Sequence, residues 1–309
     1  MKKKIQNKSH IKIGSLKKCW QLYVMMLPAV LYIALFAYKP MYGIQIAFKD
    51  FSFRKGIWGS EFIGFENFTR LFESYWFPVI LKNTLQISIL SLLIGFPIPI
   101  IIALLFNEVK SEKFRTVVQT VSYAPHFISL VVMCGMIMLF LNPTTGVLNK
   151  FLDFLGMESV YFMQEASMFK WIYVLSDVWQ GAGWGSIIYF AALSGVDGAL
   201  LEAADLDGAS RLQKIWYVKI PTILPTIVVT FILRCGSLLS VGYEKAYLLQ
   251  TSTNLAGSEI ISTYVYKVGL EQSDFGFSTA INLLNTVVNC IILILANQLS
   301  KKVTDSGLL

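Results

Sequence analysis

Charge is the property that this sequence has least of. Asp, Glu, Lys and Arg make up 15% of its 309 residues, whereas a soluble globular domain carries about 25%. Hydrophobic residues make up 55% of the chain, and its mean hydropathy is +0.59. This balance excludes an ordinary soluble enzyme and predicts an all-α polytopic membrane protein.

The groups that usually carry metal or nucleophilic chemistry are also scarce. The chain has only two histidines, and one of them, His10, lies in a lysine-rich tail. The sequence contains no HExxH, GxSxG or GxxxxGK[ST] motif, so we expect no catalytic residue, no metal site and no ATP site of its own. Four cysteines are scattered without metal-ligand spacing, and we interpret them as small apolar side chains: Cys19, Cys134, Cys235 and Cys290.

Long apolar runs are what the sequence has in place of charge. Six of them reach the ~20 residues that a helix needs to cross a bilayer. We predict spans at about residues 20–38, 79–106, 117–141, 169–194, 221–241 and 278–299. Pro97 and Pro99 are expected to kink the second span. No small-residue cleavage site follows the first run, so we interpret it as a retained helix rather than a signal peptide.

The distribution of basic residues predicts the orientation and the domain plan. The two termini and the two short loops on their side hold 15 of the 26 basic residues but only 7 of the 19 acidic ones. The positive-inside rule therefore predicts a multi-pass protein of the bacterial cell membrane with both termini in the cytoplasm. We expect a basic tail at 1–19, one membrane domain at 20–300 and a short tail at 301–309.

One polar segment interrupts the apolar runs on the predicted cytoplasmic side: "EAADLDGASRLQKIWYVKIPTILP", residues 202–225. Ala204 and Gly208 are four residues apart, as are Asp205 and Ala209, so each pair would share a helix face. Gly208 is expected either at a turn between two short helices or where a partner lies too close for a side chain. From composition alone, the segment could also be a solvated loop.

This segment resembles the EAA motif of the permease subunits of binding-protein-dependent ABC importers. The family pattern is Glu-Ala-Ala, three residues, Gly, nine residues, Ile, one residue and Leu-Pro. The corresponding residues here are Glu202, Ala203, Ala204, Gly208, Val218, Ile220 and Pro221. We expect Pro221 in the first turn of the fifth span. "PMYGIQIAFKDFSFRKGIWGSEFIGFENFTRLF", "SYAPHFIS" and "DVWQGAGWGSIIYFAALSGVD" resemble the carbohydrate branch of the family, the LplB-like permeases related to MalF.

The resemblance implies a type I ABC importer permease fold with six transmembrane helices. A coupling helix at about 198–212 would dock into a cytoplasmic ATPase dimer, which binds the ATP and Mg. Its ATPase-coupling residues would be Glu202, Ala203, Ala204, Asp207 and Gly208. The other implied partners are a second, homologous permease subunit that completes a heterodimer, an extracellular solute-binding (lipo)protein and an oligosaccharide substrate. Each permease would form half of the translocation pore.

Polar residues inside spans suggest a substrate path, because they are costly in lipid and usually face a bundle interior or a water-filled passage. The spacing of Arg234, Ser237, Ser240 and Glu244 would place them along one side of the fifth helix. Alignment with the family leaves open, by one residue, whether Leu233 or Arg234 occupies the sugar-contacting position. The complete candidate path consists of Tyr123, His126, Asp177, Gln180, Gly181, Trp184, Arg234, Ser237 and Ser240.

Each candidate also has a purely structural interpretation. Asp177 and Arg234 could pair with each other to satisfy buried charge. Trp184 and the neighbouring Trp179 could be interfacial or lipid-facing rings. The two serines could serve helix packing, and Tyr123 and His126 could serve core packing and a structural hydrogen bond.

Three alternatives to an oligosaccharide permease stay open at this point: a permease for another solute class, an ion-coupled secondary transporter, and a membrane enzyme. The last would need paired carboxylates or a nucleophile beside its base, and the sequence shows neither pattern.

Overall fold

The computed structural model describes residues 20–304 and is almost entirely helical. The predicted basic tail at 1–19, which includes His10 and Cys19, lies outside these residues, as does 305–309. The α-helices are α1 Trp20–Ile33, α2 Lys39–Met41, α3 Gly56–Gly59, α4 Glu66–Glu73, α5 Trp76–Leu90, α6 Pro97–Glu108, α7 Glu112–Tyr123, α8 Leu130–Phe140, α9 Val147–Phe154, α10 Ala166–Leu193, α11 Gly198–Leu206, α12 Arg211–Lys214, α13 Ile220–Gly236, α14 Tyr243–Leu249, α15 Leu255–Ser258, α16 Ile261–Tyr266 and α17 Phe275–Thr304.

Short irregular turns join several of these helices without ending them. The π-helical turns are Ala34–Tyr38, Ser91–Gly95, Ile215–Lys219 and Lys267–Glu271. The 3₁₀ turns are Tyr42–Phe48 and Ala124–Phe127. The π turn at Ser91–Gly95 ends two residues before Pro97, so the second span departs from regular α-helix next to the prolines that were expected to kink it. It nevertheless stays one continuous span.

Six spans are present if each bent pair of helices counts as one, as the sequence predicts. Four are continuous: span 1 Trp20–Phe48, span 2 Trp76–Glu108, span 5 Arg211–Gly236 and span 6 Phe275–Lys301. Span 3 is the pair α7–α8, which bends by 97°. Span 4 is α10, and α11 leaves it at an angle of 79°.

The bounds predicted for the fifth span are wrong at both ends. The helix begins at Arg211 because the π turn at Ile215–Lys219 carries it from α12 into α13. Pro221 therefore follows a π turn inside a continuous span instead of opening the span. The helix stops at Gly236, although apolar residues continue beyond it, so hydropathy alone could not show this end.

Span 4 is the centre of the packing and contacts spans 2, 3 and 5. Its Gly183 lies so close to the α7 backbone that an added Cβ would be 2.0 Å from the Ser122 carbonyl oxygen. One apolar cluster joins the middle of span 4 to its neighbours and includes Ile87, Met133, Phe169, Val174 and Leu249. A second cluster lies nearer to α11 and comprises Ala103, Leu104, Tyr189, Leu193 and Ile223.

The opposite end of the molecule carries the small elements. Strands β1 Lys49–Asp50 and β2 Glu61–Phe62 form an antiparallel ribbon that pairs Lys49 with Phe62. The Asn67 side chain donates to the Ala47 carbonyl oxygen at 3.0 Å. Arg70 on α4 pairs with Asp274, just before span 6, at 2.6 Å. This end is therefore fixed to span 6 by polar contacts.

Candidate functional site

The segment with the EAA pattern forms a compact helix–turn–helix, residues 198–214, which we name the docking segment. Asp197 caps α11 by accepting a hydrogen bond from the Ala199 amide at 2.9 Å. Ser210 and Gln213 form a capping box that begins α12. Because both short helices have side-chain caps, local sequence is sufficient to define where they start.

Gly208 is the turn between the two helices. Its φ is +75°, and no atom lies within 4 Å of where a Cβ would be. Glycine is therefore needed here because the backbone is left-handed. It is not needed to make room for another part of this chain. The expectation that Ala204 and Gly208 share a helix face is wrong, as is that for Asp205 and Ala209, because α11 already ends at Leu206.

The docking segment exposes both charge and apolar surface. Glu202, Ala203 and Asp207 are exposed, and Ala204 is half-buried. Leu206 is 90% exposed and Leu212 is 69% exposed. Large apolar side chains beside carboxylates on an otherwise polar protrusion are typical of a protein-interaction surface.

Two ion pairs hold the docking segment in place. Lys214 on α12 contacts Asp205 on α11 at 2.5 Å, which closes the helix–turn–helix. Lys219, buried at the end of the π turn, pairs with Glu108 and donates to Asn107 Oδ1 at 2.6 Å. The second contact lies five residues beyond the docking segment and links span 5 to the end of span 2, so the docking segment and the end of span 2 lie at the same end of the molecule.

Asp177 pairs with a residue that the sequence analysis did not single out. Its Oδ1 lies 3.5 Å from the Nζ of Lys245 on α14, and Lys245 also donates to the Tyr173 carbonyl oxygen at 2.8 Å. The ammonium lies 4.5 Å from the centroid of the Tyr173 ring. Burial lowers the pKa of Lys245, and the coulombic attraction of Asp177 opposes this shift. The alternative in which Asp177 pairs with Arg234 is therefore wrong.

Two adjoining clefts lie between spans 2, 4 and 5, and both are lined by Asp177 and Arg234. The first has a volume of about 300 Å³, and its other lining residues include Gly95, Pro99, Gly181, Tyr189 and Thr230. The second has a volume of about 220 Å³, and its other lining residues include Ser88, Ser91, Tyr173, Ser237 and Ser240. Five of the predicted path residues thus come together: Asp177, Gly181, Arg234, Ser237 and Ser240.

Ser237, Ser240 and Glu244 do not continue the helical face of Arg234, and this part of the prediction is wrong. Span 5 ends at Gly236, and the chain turns before α14 begins at Tyr243. Asn289 of span 6 fixes the turn: its Oδ1 accepts from the Leu239 amide at 3.0 Å, and its Nδ2 donates to Ser240 Oγ at 3.1 Å. Ser237 and Ser240 reach the cleft through this turn.

The remaining path candidates lie where span 4 meets the bend of span 3. The rings of His126 and Trp184 stack with centroids 4.6 Å apart and planes 4° apart. Gln180 donates to the Ile128 carbonyl oxygen at 2.9 Å, which satisfies a carbonyl that the bend frees from regular helix bonding. Tyr123 contacts Phe106 edge-on with centroids 6.2 Å apart. Trp184 and His126 are exposed, whereas Gln180 and Tyr123 are half-buried.

Sequence reasoning missed Lys245, Lys219 and Asn289, which organise the site. Lys245 follows Glu244 and falls outside the predicted spans, in the segment 242–277 that the sequence places on the outer side, so no signal singled it out. Lys219 is one of the basic residues of the predicted cytoplasmic side, and Asn289 is one of several asparagines in the last span. Within residues 20–304, no group of three or more His, Cys, Asp and Glu side chains is arranged to hold a metal ion.

These features define the class of the protein: a multi-pass helical membrane protein with polar clefts between its spans and an exposed helix–turn–helix at one end. Comparison with known proteins is consistent with this class. The family model described as "Binding-protein-dependent transport system inner membrane component" matches residues 95–305. The chain belongs to this family, the permease subunits of ABC importers.

Two relatives from Bacillus subtilis (strain 168) align over nearly the whole chain. The polygalacturonan/rhamnogalacturonan transport system permease protein YteP is 44% identical over 93% of this chain and 89% of its own length. Protein LplB is 40% identical over 96% of this chain and 93% of its own length. A chain of the bacterial alginate ABC transporter, crystallised in complex with an alginate pentasaccharide-bound periplasmic protein, is 42% identical with a TM-score of 0.89. That match covers 96% of this chain and 99% of the other.

Proposed function

We propose that this permease forms half of the translocation pore for an oligosaccharide, which an extracellular binding protein delivers. The support for a saccharide is that YteP and the alginate transporter are both named for glycan import and are more than 40% identical to this chain. The clefts are lined by hydroxyl groups and charged side chains, which suit hydrogen bonding to sugar hydroxyls. A second, homologous permease subunit would supply the other half of the pore.

The docking segment is the single observation that carries the proposed energy source. It exposes two leucines beside carboxylates, is closed by an internal ion pair, and continues into span 5, which an ion pair at Lys219 joins to span 2. A surface of this kind suits a soluble ATPase dimer, which would bind ATP and Mg and move spans 2 and 5 through the docking segment. In this proposal the docking segment and both chain termini lie in the cytoplasm, which is the side that the distribution of basic residues predicts for them.

The experiment that tests this proposal compares two charge reversals at exposed glutamates. Glu202 lies in the docking segment, whereas Glu112 lies at the start of α7 in the other short loop of the predicted cytoplasmic side. The affinity-tagged chain is purified from its native host, where its partners are present, and the ATPase activity that copurifies with it is measured.

We expect Glu202→Lys to lose most of the copurifying ATPase activity and Glu112→Lys to retain it. If the two variants retain equal activity, the docking assignment is wrong. If the wild-type chain copurifies with no ATPase but still transports in membrane vesicles, an ion-coupled carrier replaces the proposed ABC mechanism.

A further inference from the structure

Arg234 is a cation without a partner in the described part of the chain. It occupies the last turn of α13, is exposed, and has no carboxylate of residues 20–301 within ion-pairing distance. Asp177 is the carboxylate that lines the same clefts, and it is already paired with the buried Lys245. The charge of Arg234 is thus available to something that enters the clefts.

The charge balance of the clefts is positive. Asp177 and Arg234 are the charged residues that line them, and Lys245 lies directly behind Asp177. With Asp177 neutralised by Lys245, one positive charge remains and it is the guanidinium. A charged side chain within a span usually pairs with a partner or faces a water-filled path. Arg234 is exposed in the clefts, so its guanidinium is accessible to an anionic ligand that enters them.

The groups around Arg234 fit a sugar that carries a carboxylate. The same cleft is lined by four serines, Ser88, Ser91, Ser237 and Ser240. The Ser91 hydroxyl makes no hydrogen bond within the described residues, whereas Ser88 and Ser237 donate to backbone carbonyls. A guanidinium binds a carboxylate through two parallel hydrogen bonds, and hydroxyls of the lining can bind the ring hydroxyls of the same sugar.

We propose that Arg234 is the carboxylate-binding position of the substrate path and that the carried oligosaccharide is anionic, built from uronic acid units. This inference rests on the proposed function, since the clefts carry substrate only if the chain is a permease for saccharides. Lys245 has a separate role: it neutralises Asp177, so that Asp177 does not repel the anionic sugar.

The test measures direct binding to the purified transporter complex, without its binding protein, by isothermal titration. The ligands are trigalacturonate and trimannuronate, each beside its carboxyl-reduced trisaccharide, which keeps the linkage and removes the charge. The variants are Arg234→Gln, Arg234→Lys and, as a control for net charge, Arg115→Gln in the inner loop.

We expect at least one acid to bind the wild-type complex about tenfold more tightly than its reduced form, as charge-assisted hydrogen bonds to a carboxylate require. Arg234→Gln removes this difference and leaves the affinity for the reduced form unchanged. Arg234→Lys keeps part of the difference, and Arg115→Gln keeps all of it.

Three results would overturn the inference. The first is equal affinity of the wild type for the acid and for its reduced form. The second is an equal loss of affinity for both forms in Arg234→Gln. The third is release of the second permease from Arg234→Gln, which would make Arg234 an assembly residue. ATP-driven uptake of a neutral saccharide beside any of these results would leave the proposed function standing. The absence of all ATP-driven saccharide uptake would instead reject the proposed function.

Discussion

Lys219, buried at the end of the π turn near the start of span 5, is paired with Glu108, the last residue of the span 2 helix. The pair connects two spans that are far apart in sequence at the point where the docking segment enters span 5. A force on the docking segment would therefore reach span 2 directly as well as span 5.

This relationship predicts that Lys219→Met is destabilising, because it leaves the carboxylate of Glu108 without its cation. We expect a loss of about 1–3 kcal/mol, and restoration of part of it in the double variant Lys219→Met/Glu108→Gln. The measurement is the thermal unfolding of the purified chain in detergent, followed by tryptophan fluorescence.

The matched control is Lys214→Met, which breaks the more exposed pair with Asp205 and should cost less than about 1 kcal/mol. If Lys214→Met and Lys219→Met are equally destabilising, the Lys219–Glu108 pair contributes no more to stability than an exposed ion pair, and its role in joining the spans is rejected.

The conformation of Gly208 predicts the effect of a single added methyl group. Gly208→Ala meets no neighbouring atom, so its cost comes from the left-handed backbone alone and should be about 1–2 kcal/mol. Because the turn sets the relative position of α11 and α12, we expect weaker copurification of the ATPase with little change in the amount of folded permease.

Gly198→Ala is the control, since Gly198 begins α11 without a positive φ and also has open space at its Cβ position. We expect it to behave like the wild type. Equal losses in the two variants would show that the backbone of Gly208 is not what the docking surface requires.

Gly181 and Gly183 lie two residues apart on span 4, and they predict opposite outcomes for the same substitution. Gly183→Ala places a Cβ against the backbone of Ser122, which must move, so we expect a loss of folded protein. Gly181→Ala enters open space and should leave folding unchanged. The yield of monodisperse chain in size-exclusion chromatography measures this, and comparable yields would mean that span 3 can shift freely.

The stacked rings of Trp184 and His126 predict a transport defect without an assembly defect. If Trp184 offers its ring to a passing sugar and His126 holds it in place, Trp184→Ala should lower uptake by about 2- to 10-fold, equivalent to about 0.5–1.5 kcal/mol. His126→Ala should act in the same direction and more weakly. Uptake by vesicles containing equal amounts of complex is the measurement.

Trp179→Ala is the control, because Trp179 is exposed on the same helix and has no ring contact in residues 20–304. If Trp179→Ala lowers uptake as much as Trp184→Ala, the lower uptake results from losing any exposed aromatic ring on span 4. Trp184 would then have no particular place in the path.

The sequence by itself determined the number of spans and the existence of the docking segment. Both depend on local properties: the apolar length needed to cross a bilayer, and the caps and the glycine that shape a helix–turn–helix. A turn at Gly208 was one of the two explanations that the sequence left open for this glycine. Asp177 and Gly181, which line the clefts, were also identified as candidates, because polar or small residues in an apolar run are visible without knowing their neighbours.

Only the tertiary structure decided which partners these side chains have. Asp177 pairs with Lys245 and not with Arg234, since the chain reverses after Gly236 and α14 returns to span 4. Asn289 fixes that reversal from span 6, and Lys219 reaches Glu108 from span 5. These contacts join residues far apart in sequence, and neither hydropathy nor periodicity carries information about such distances. The unpaired state of Arg234, on which the proposal of an anionic substrate rests, follows from them.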